Sequence, residues 1–200
     1  MAPIFIVFKK TMENLLQDEK DKKFKTTKKT INIIEKIGEV FNLHPLLLED
    51  VCSINQRPKV EEYENDMFIV LKMIYFDDKI KKIKVEQISL IIGENFVISF
   101  QEEPGDIFGS IRKRLNQGRV RIRSSKSDYL SYCIIDLIVD NYFLILEKIA
   151  ENIEHLETEM LKDSGQDYLN NIYSLKREII LLKKSILIIT AKENFHFSIL

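Results

Sequence analysis

Met67-Phe68-Ile69-Val70-Leu71-Lys72-Met73-Ile74-Tyr75-Phe76, with the runs Val85–Ile92 (VEQISLII) and Asn95–Phe100 (NFVISF) behind it, is the stretch on which the fold turns. The first run is apolar at nearly every position and rich in β-branched and aromatic residues, the pattern of a strand covered on both faces. Asp77-Asp78-Lys79 reads as a turn, Ile80 to Ile83 as the start of a return strand, and Gly93-Glu94 as a tight hairpin connection. Consecutive antiparallel strands therefore form the middle of a sheet. Toward the N-terminus, Pro3–Lys9 (PIFIVFK) reads as a further buried strand and the charged stretch Gln17–Lys29 as a solvated loop. From Thr30, the residues Ile31, Ile34, Ile37, Val40 and Phe41 recur at helical spacing and predict a helix ending near Asn42. Pro45 then opens a second, shorter helix, where its missing N–H costs nothing.

Toward the C-terminus, Asp106–Leu115 reads as a short amphipathic helix followed by a basic turn, Arg112 to Arg123. An uninterrupted helical pattern runs from about Ser127 to Lys162, about 50 Å at ~1.5 Å per residue. Asp163-Ser164-Gly165 breaks it, and a second helix from Gln166 to about Lys192 carries Leu169, Ile172, Leu175, Ile179, Leu182 and Ile186 on one face. Two long amphipathic helices with a short break imply an antiparallel hairpin. Residues 1–123 are thus expected to form an α/β domain and residues 124–200 the hairpin.

Composition narrows the function classes. The 200 residues carry 30 Lys+Arg against 31 Asp+Glu, so there is no global positive field and little support for nucleic-acid binding through phosphate neutralisation. The longest apolar stretches, such as Ile186–Ile189, are short and flanked by Lys, which predicts no bilayer-spanning segment and no membrane insertion by this chain. Cys52 and Cys133 lie far apart with no His or Cys at ligand spacing, as expected of reduced, packed thiols in a cytosolic protein. None of the common phosphate-loop, nucleophile-elbow or zinc-protease signatures occurs, so no enzyme is expected. His44, before a Pro at a helix start, reads as a backbone hydrogen-bonding partner, and His155, among Glu151, Glu154, Glu157 and Glu159, as part of a solvated acidic face.

The stretch His44–Tyr63, HPLLLEDVCSINQRPKVEEY, resembles the central cytosolic motif of the CorA-type magnesium channel family, in which a His-Pro-Leu-x-Leu-Glu-Asp helix runs into a Gln-Arg-Pro-Lys strand entry. The similarity continues through Asp66–Met73, Glu86–Ile91, Phe100–Glu102, Gly105–Phe108, Asp128–Leu130, Ile135-Asp136 and Asp140–Phe143. It covers about Thr30 to Leu182; the first 29 residues and the tail from about Lys192 depart from it. The resemblance implies an α/β/α layered sandwich with a mixed, largely antiparallel sheet, followed by long helices leading toward a membrane. It also implies a homopentamer in the intact channel, at the cytoplasmic face of the cell membrane, that moves Mg²⁺ or Co²⁺. The family's pore motif, Gly-Met-Asn, is absent from these 200 residues, so conduction by this chain alone is not expected.

What the resemblance leaves is a regulatory part. Among the family's Mg²⁺-sensing residues are the acidic pair of the motif helix, here Glu49 and Asp50, and an aspartate of the long helix, here Asp136. Their remaining partner would lie on a stalk helix after Leu200. Mg²⁺ sheds its waters reluctantly and is usually held through one or two carboxylates and intervening waters, so a bound ion would bridge charges that otherwise repel. Glu49 and Asp50 also read as simple solvated residues at a helix end, whereas Asp136 interrupts an apolar stretch and must be exposed, paired or metal-bound. Arg57 and Lys59 read as partners of Glu61, Glu62 or Glu64. Two alternatives stay open: a soluble interaction module that kept the fold without transport, and the zinc-transporting branch of the superfamily. Zn²⁺ prefers His and Cys ligands, which the carboxylate set does not offer.

Overall fold

The computed structural model describes residues 4–9, 28–53, 56–77, 82–102, 107–117, 121–122, 125–160 and 167–191. The loop expected at Gln17–Lys29, the turn Asp77–Lys79 and the helix break Asp163–Gly165 lie wholly or partly outside them, as does the tail from Lys192.

Five strands form one sheet in the order β1-β5-β4-β3-β2. They are β1 (Ile4–Lys9), β2 (Lys59–Glu62), β3 (Met67–Asp77), β4 (Lys82–Ile92) and β5 (Phe96–Gln101). β2 pairs antiparallel with β3 and β4 with β5, while β1 runs parallel to β5 with Ile4 opposite Phe96. The sheet is thus mixed and largely antiparallel, as expected. One detail differs: the runs around Ile83 and Val85–Ile92 are a single strand, β4, because Lys84 lies within the strand and pairs with Asp77 at 2.8 Å.

Helices α1 (Lys28–Phe41) and α2 (Pro45–Cys52) lie over one face of the sheet. Ile34, Ile37, Leu43, Leu47 and Val51 are buried with Phe68 and Val70 of β3, Ile91 of β4, and Ile98 and Phe100 of β5. The intervening strand residues Ile69, Leu71, Leu90 and Val97 point to the opposite face and are equally buried, so both faces are covered in an α/β/α arrangement. On the chain past the sheet come α3 (Gly109–Asn116), with Ile111 buried, then the long α4 (Ser127–Met160) and α5 (Asp167–Ala191).

The turn between α1 and α2 fixes the motif helix in place. Asn42 adopts φ 52°, the left-handed conformation that ends a helix, and Leu43 N–H then donates to Gly38 O at 3.0 Å. This closure buries Leu43 beside Ile37. Gly38 eases the close approach of the two helices, since a Cβ there would run into the end of the Leu48 side chain, which would have to shift.

By its contacts the chain divides into two compact units, residues 1–71 with 86–133 and residues 72–85 with 134–200. The division differs from a single boundary at 123/124, because the far halves of β3 and β4 group with the helices. Within the second unit, the Tyr142 hydroxyl of α4 donates to the Lys72 carbonyl, and Lys148 Nζ lies 4.2 Å from the Phe76 ring centre.

The long helices add two findings to the sequence reading. The segment Ser127–Thr158 is long and apolar enough to meet the criteria of a membrane span, with a window of mean hydropathy 1.5. Asp136 and Asp140 interrupt its apolar run and are the only charges between Tyr129 and Leu146. Much of that hydropathy belongs to a buried stripe, Leu130, Ile134, Ile138, Tyr142, Ile145 and Ile149. In α5 the expected apolar face is only partly covered: Leu182 is buried, whereas Leu169, Ile172 and Ile179 are exposed.

Candidate cation site on the motif helix

His44 starts α2 from an extended conformation, and its Nδ1 accepts from Leu46 N–H at 3.2 Å, the capping role expected of it. Its ring lies 5.4 Å, centre to centre, from that of Tyr63. With Leu47 and Val51 buried beneath, the helix turns Glu49 outward and leaves Asp50 half-buried toward β2.

There Asp50 meets Lys59. The Lys59 Nζ is 2.7 Å from Asp50 Oδ2 and 2.9 Å from Glu61 Oε1, so one ammonium bridges a carboxylate of α2 and one of β2. The pairing expected between Lys59 and Glu61 is present, and the one with Asp50 is additional. Burial lowers the affinity of Lys59 for its proton, but the hydrogen bonds to Asp50 and Glu61 and their charges outweigh it, and its pKa stands above 10.5. The Tyr63 hydroxyl donates to Glu61 Oε2 at 3.2 Å; burial first, and then the negative charge of Glu61, push the phenol's pKa up.

Two glutamines that carried no role in the sequence reading hold the end of α2. Gln56 Nε2 donates to the Asp50 carbonyl at 2.7 Å and to Asp50 Oδ1 at 3.3 Å, while its backbone N–H donates to Gln87 Oε1 at 2.9 Å. Buried Gln87 in turn donates from Nε2 to the Ser53 carbonyl at 3.0 Å. The link joins α2 to β4 across 31 positions, which no local pattern signals.

Around Asp50 lies an open depression of about 700 Å³ lined by Leu46, Glu49, Asp50, Ser53, Lys59, Glu61, Glu62 and Tyr63. Four carboxylates thus line it beside one lysine, which pairs with Asp50 and Glu61. Such a surface attracts a hydrated cation through water-mediated contacts; among the described residues, no three His, Cys, Asp or Glu side chains converge as a ready-made metal cage. Asp136 stands in the other unit as an exposed residue of α4, the first of the three conditions open to it. Cys52 and Cys133 form no disulfide and are half-buried and buried.

Comparison with known proteins places the chain. The model of a family described as CorA-like Mg2+ transporter protein matches residues 24–191. The chain belongs to the CorA-like family. It is 43% identical over 155 residues to the cobalt/magnesium transport protein CorA of Thermotoga maritima, an alignment covering 78% of this chain and 44% of that protein. The chain therefore spans less than half the length of this CorA relative. Among solved structures it superposes on the soluble domain of CorA from Methanocaldococcus jannaschii with a TM-score of 0.62 at 19% identity, covering 78% of this chain and 62% of that one. It likewise superposes on the ZntB cytoplasmic domain from Vibrio parahaemolyticus with a TM-score of 0.60 at 16% identity, covering 76% and 59%. These two likenesses concern the fold, which CorA and ZntB domains share. The resemblance read over about Thr30 to Leu182 agrees with the match over residues 24–191.

Proposed function

We propose that this chain is the cytosolic regulatory part of a CorA-type transporter of Mg²⁺ or Co²⁺, and that Glu49, Asp50 and Asp136 are where it senses the cation. The observation that supports the reading is the acidic depression on the motif helix, in a chain 43% identical to a cobalt/magnesium transport protein. Its carboxylates suit a hard, hydrated ion bound weakly, which is what a sensor of millimolar Mg²⁺ needs. Its lining residues include no His and no Cys, which disfavours Zn²⁺.

Self-association belongs to the same reading. Carboxylates of neighbouring copies would face one another, with a bound cation favouring the closed arrangement. Exposed Leu169, Ile172, Tyr173 and Ile179 on α5 give such an assembly an apolar surface to cover.

A thermal-shift titration tests the assignment. Millimolar Mg²⁺ or Co²⁺ raises the melting temperature of the wild-type chain by ligand linkage, and Asp50→Ala or Asp136→Ala weakens the response. An identical shift in wild type and both variants would remove these residues from the site.

A further inference from the structure

The lysine in the middle of the acidic depression has no place in a scheme where bare carboxylates repel until a metal arrives. Lys59 Nζ already sits between Asp50 and Glu61, at 2.7 and 2.9 Å. Glu49 and Glu62 complete the lining, so the depression carries four formal negative charges and one positive. A divalent cation approaching Asp50 therefore meets a resident, covalently tethered cation.

We propose that Lys59 is a built-in competitor of the divalent cation, which sets the concentration at which the pocket fills. The proposal rests on the reading of this pocket as a cation site and adds the exchange partner. Binding is then an exchange of cations: the ion takes Asp50 and Glu61, and the ammonium swings out.

Two features favour the exchange and a third sets its cost. The ammonium is tethered to β2, so it competes at a fixed effective concentration, independent of solution conditions. Its side chain is 29% exposed, leaving space into which it can move. In its paired position Nζ also lies 5.6 Å from the centre of the buried Phe68 ring, a further contact that holds the ammonium and that the incoming ion must displace. The lysine keeps the empty pocket from flying apart by charge repulsion, and it raises the threshold for filling to the high concentrations a Mg²⁺ sensor must report.

The test is a Mg²⁺ titration, by calorimetry and thermal shift, of wild type, Lys59→Met, Lys59→Arg and the double variant Lys59→Met with Asp50→Asn. Methionine keeps the length and apolar stem of lysine without its charge. Lys59→Met is expected to bind Mg²⁺ roughly tenfold more tightly, the order expected when a unit positive charge a few ångströms away is removed in a partly solvated site. Lys59→Arg should stay within about twofold of wild type, since it keeps the charge. The gain should vanish in the double variant. A wild type that responds to Mg²⁺ beside an unchanged or weaker Lys59→Met overturns the competition while leaving the cation site intact. A gain that survives Asp50→Asn overturns it too, because the effect would not run through this pocket. No response in wild type or Lys59→Met removes the site itself and the competition with it. Lys59→Gln supplies the same comparison should the methionine variant fail to fold.

Discussion

Leu47 and Ile172 are both branched aliphatic residues on the apolar face of a helix, yet Leu47 is fully buried and Ile172 is 41% exposed. The difference comes from what each helix lies on. α2 rests on a sheet whose strands present Phe68, Val70, Ile91 and Ile98 side by side, a broad apolar floor that covers every inward side chain. In α5, no described residue from Tyr168 to Leu181 is buried. Helix against helix covers a narrower strip than helix against sheet, so the same hydrophobic pattern leaves part of its surface in water. The contrast also says where each region spends its residues: the motif helix is clamped, and its polar edge is free to hold charge in a set geometry, while the hairpin keeps apolar surface available.

Substitutions can break or sharpen that contrast. The largest effect should come from Leu47→Ala, which opens a cavity in a closed core and is expected to cost about 2–5 kcal/mol in chemical denaturation. Ile172→Ala should cost less than about 1 kcal/mol, because much of its surface is already wet. Equal costs would mean that α5 is covered as well as α2. An effect smaller than that of Leu47→Ala is expected from Tyr142→Phe, which leaves the Lys72 carbonyl without its side-chain donor and should cost about 0.5–1.5 kcal/mol. No loss would show that packing alone holds α4 at that point.

The smallest concerns Asp66, next to the β2–β3 turn, whose carboxyl is pushed above its ordinary 3.8 by burial. The folded chain then holds this proton to higher pH than the unfolded chain does, so this residue's contribution falls as pH rises from about 4 through the folded value. Asp66→Asn should therefore raise stability by roughly a few tenths of a kcal/mol at pH 7, where solvent screening keeps the effect small, and by nothing at pH 3. Melting curves across that range read the difference; a gain of the same size at pH 3 would exclude the charge as its cause.

Much of the sheet side was readable along the chain. β3 and β5 announced themselves through run length and residue type, α2 through Pro45 after His44, and the end of α1 through Asn42, because turn and cap chemistry act over three or four residues. The parallel pairing of β1 with β5 was not readable, since more than ninety positions separate Ile4 from its partner Phe96 and no local signal joins them. The candidate site divides the same way. Glu49, Asp50 and Asp136 were legible as acidic residues in a recognisable motif. The bond from Gln56 to Gln87 and the sharing of Lys59 between Asp50 and Glu61 were not, because they depend on how α2 lies over β2 and β4. Exposure of α5 was hidden for a related reason: periodicity tells which residues share a face, and only a neighbouring surface tells whether that face is covered.

The amino-acid sequence by itself determined the elements, the alternation that makes two-faced strands, and family membership through the contiguous His44–Tyr63 motif. These follow from local backbone preferences and from residue order, neither of which needs a third dimension. Only the tertiary structure decided that Asp50 arrives at its pocket already paired, that Gln87 anchors the end of α2, and that α5 keeps Leu169, Ile172 and Ile179 in solvent. Coulomb attraction, hydrogen bonding and burial all depend on distance in space, and folding sets that distance between residues the chain keeps far apart.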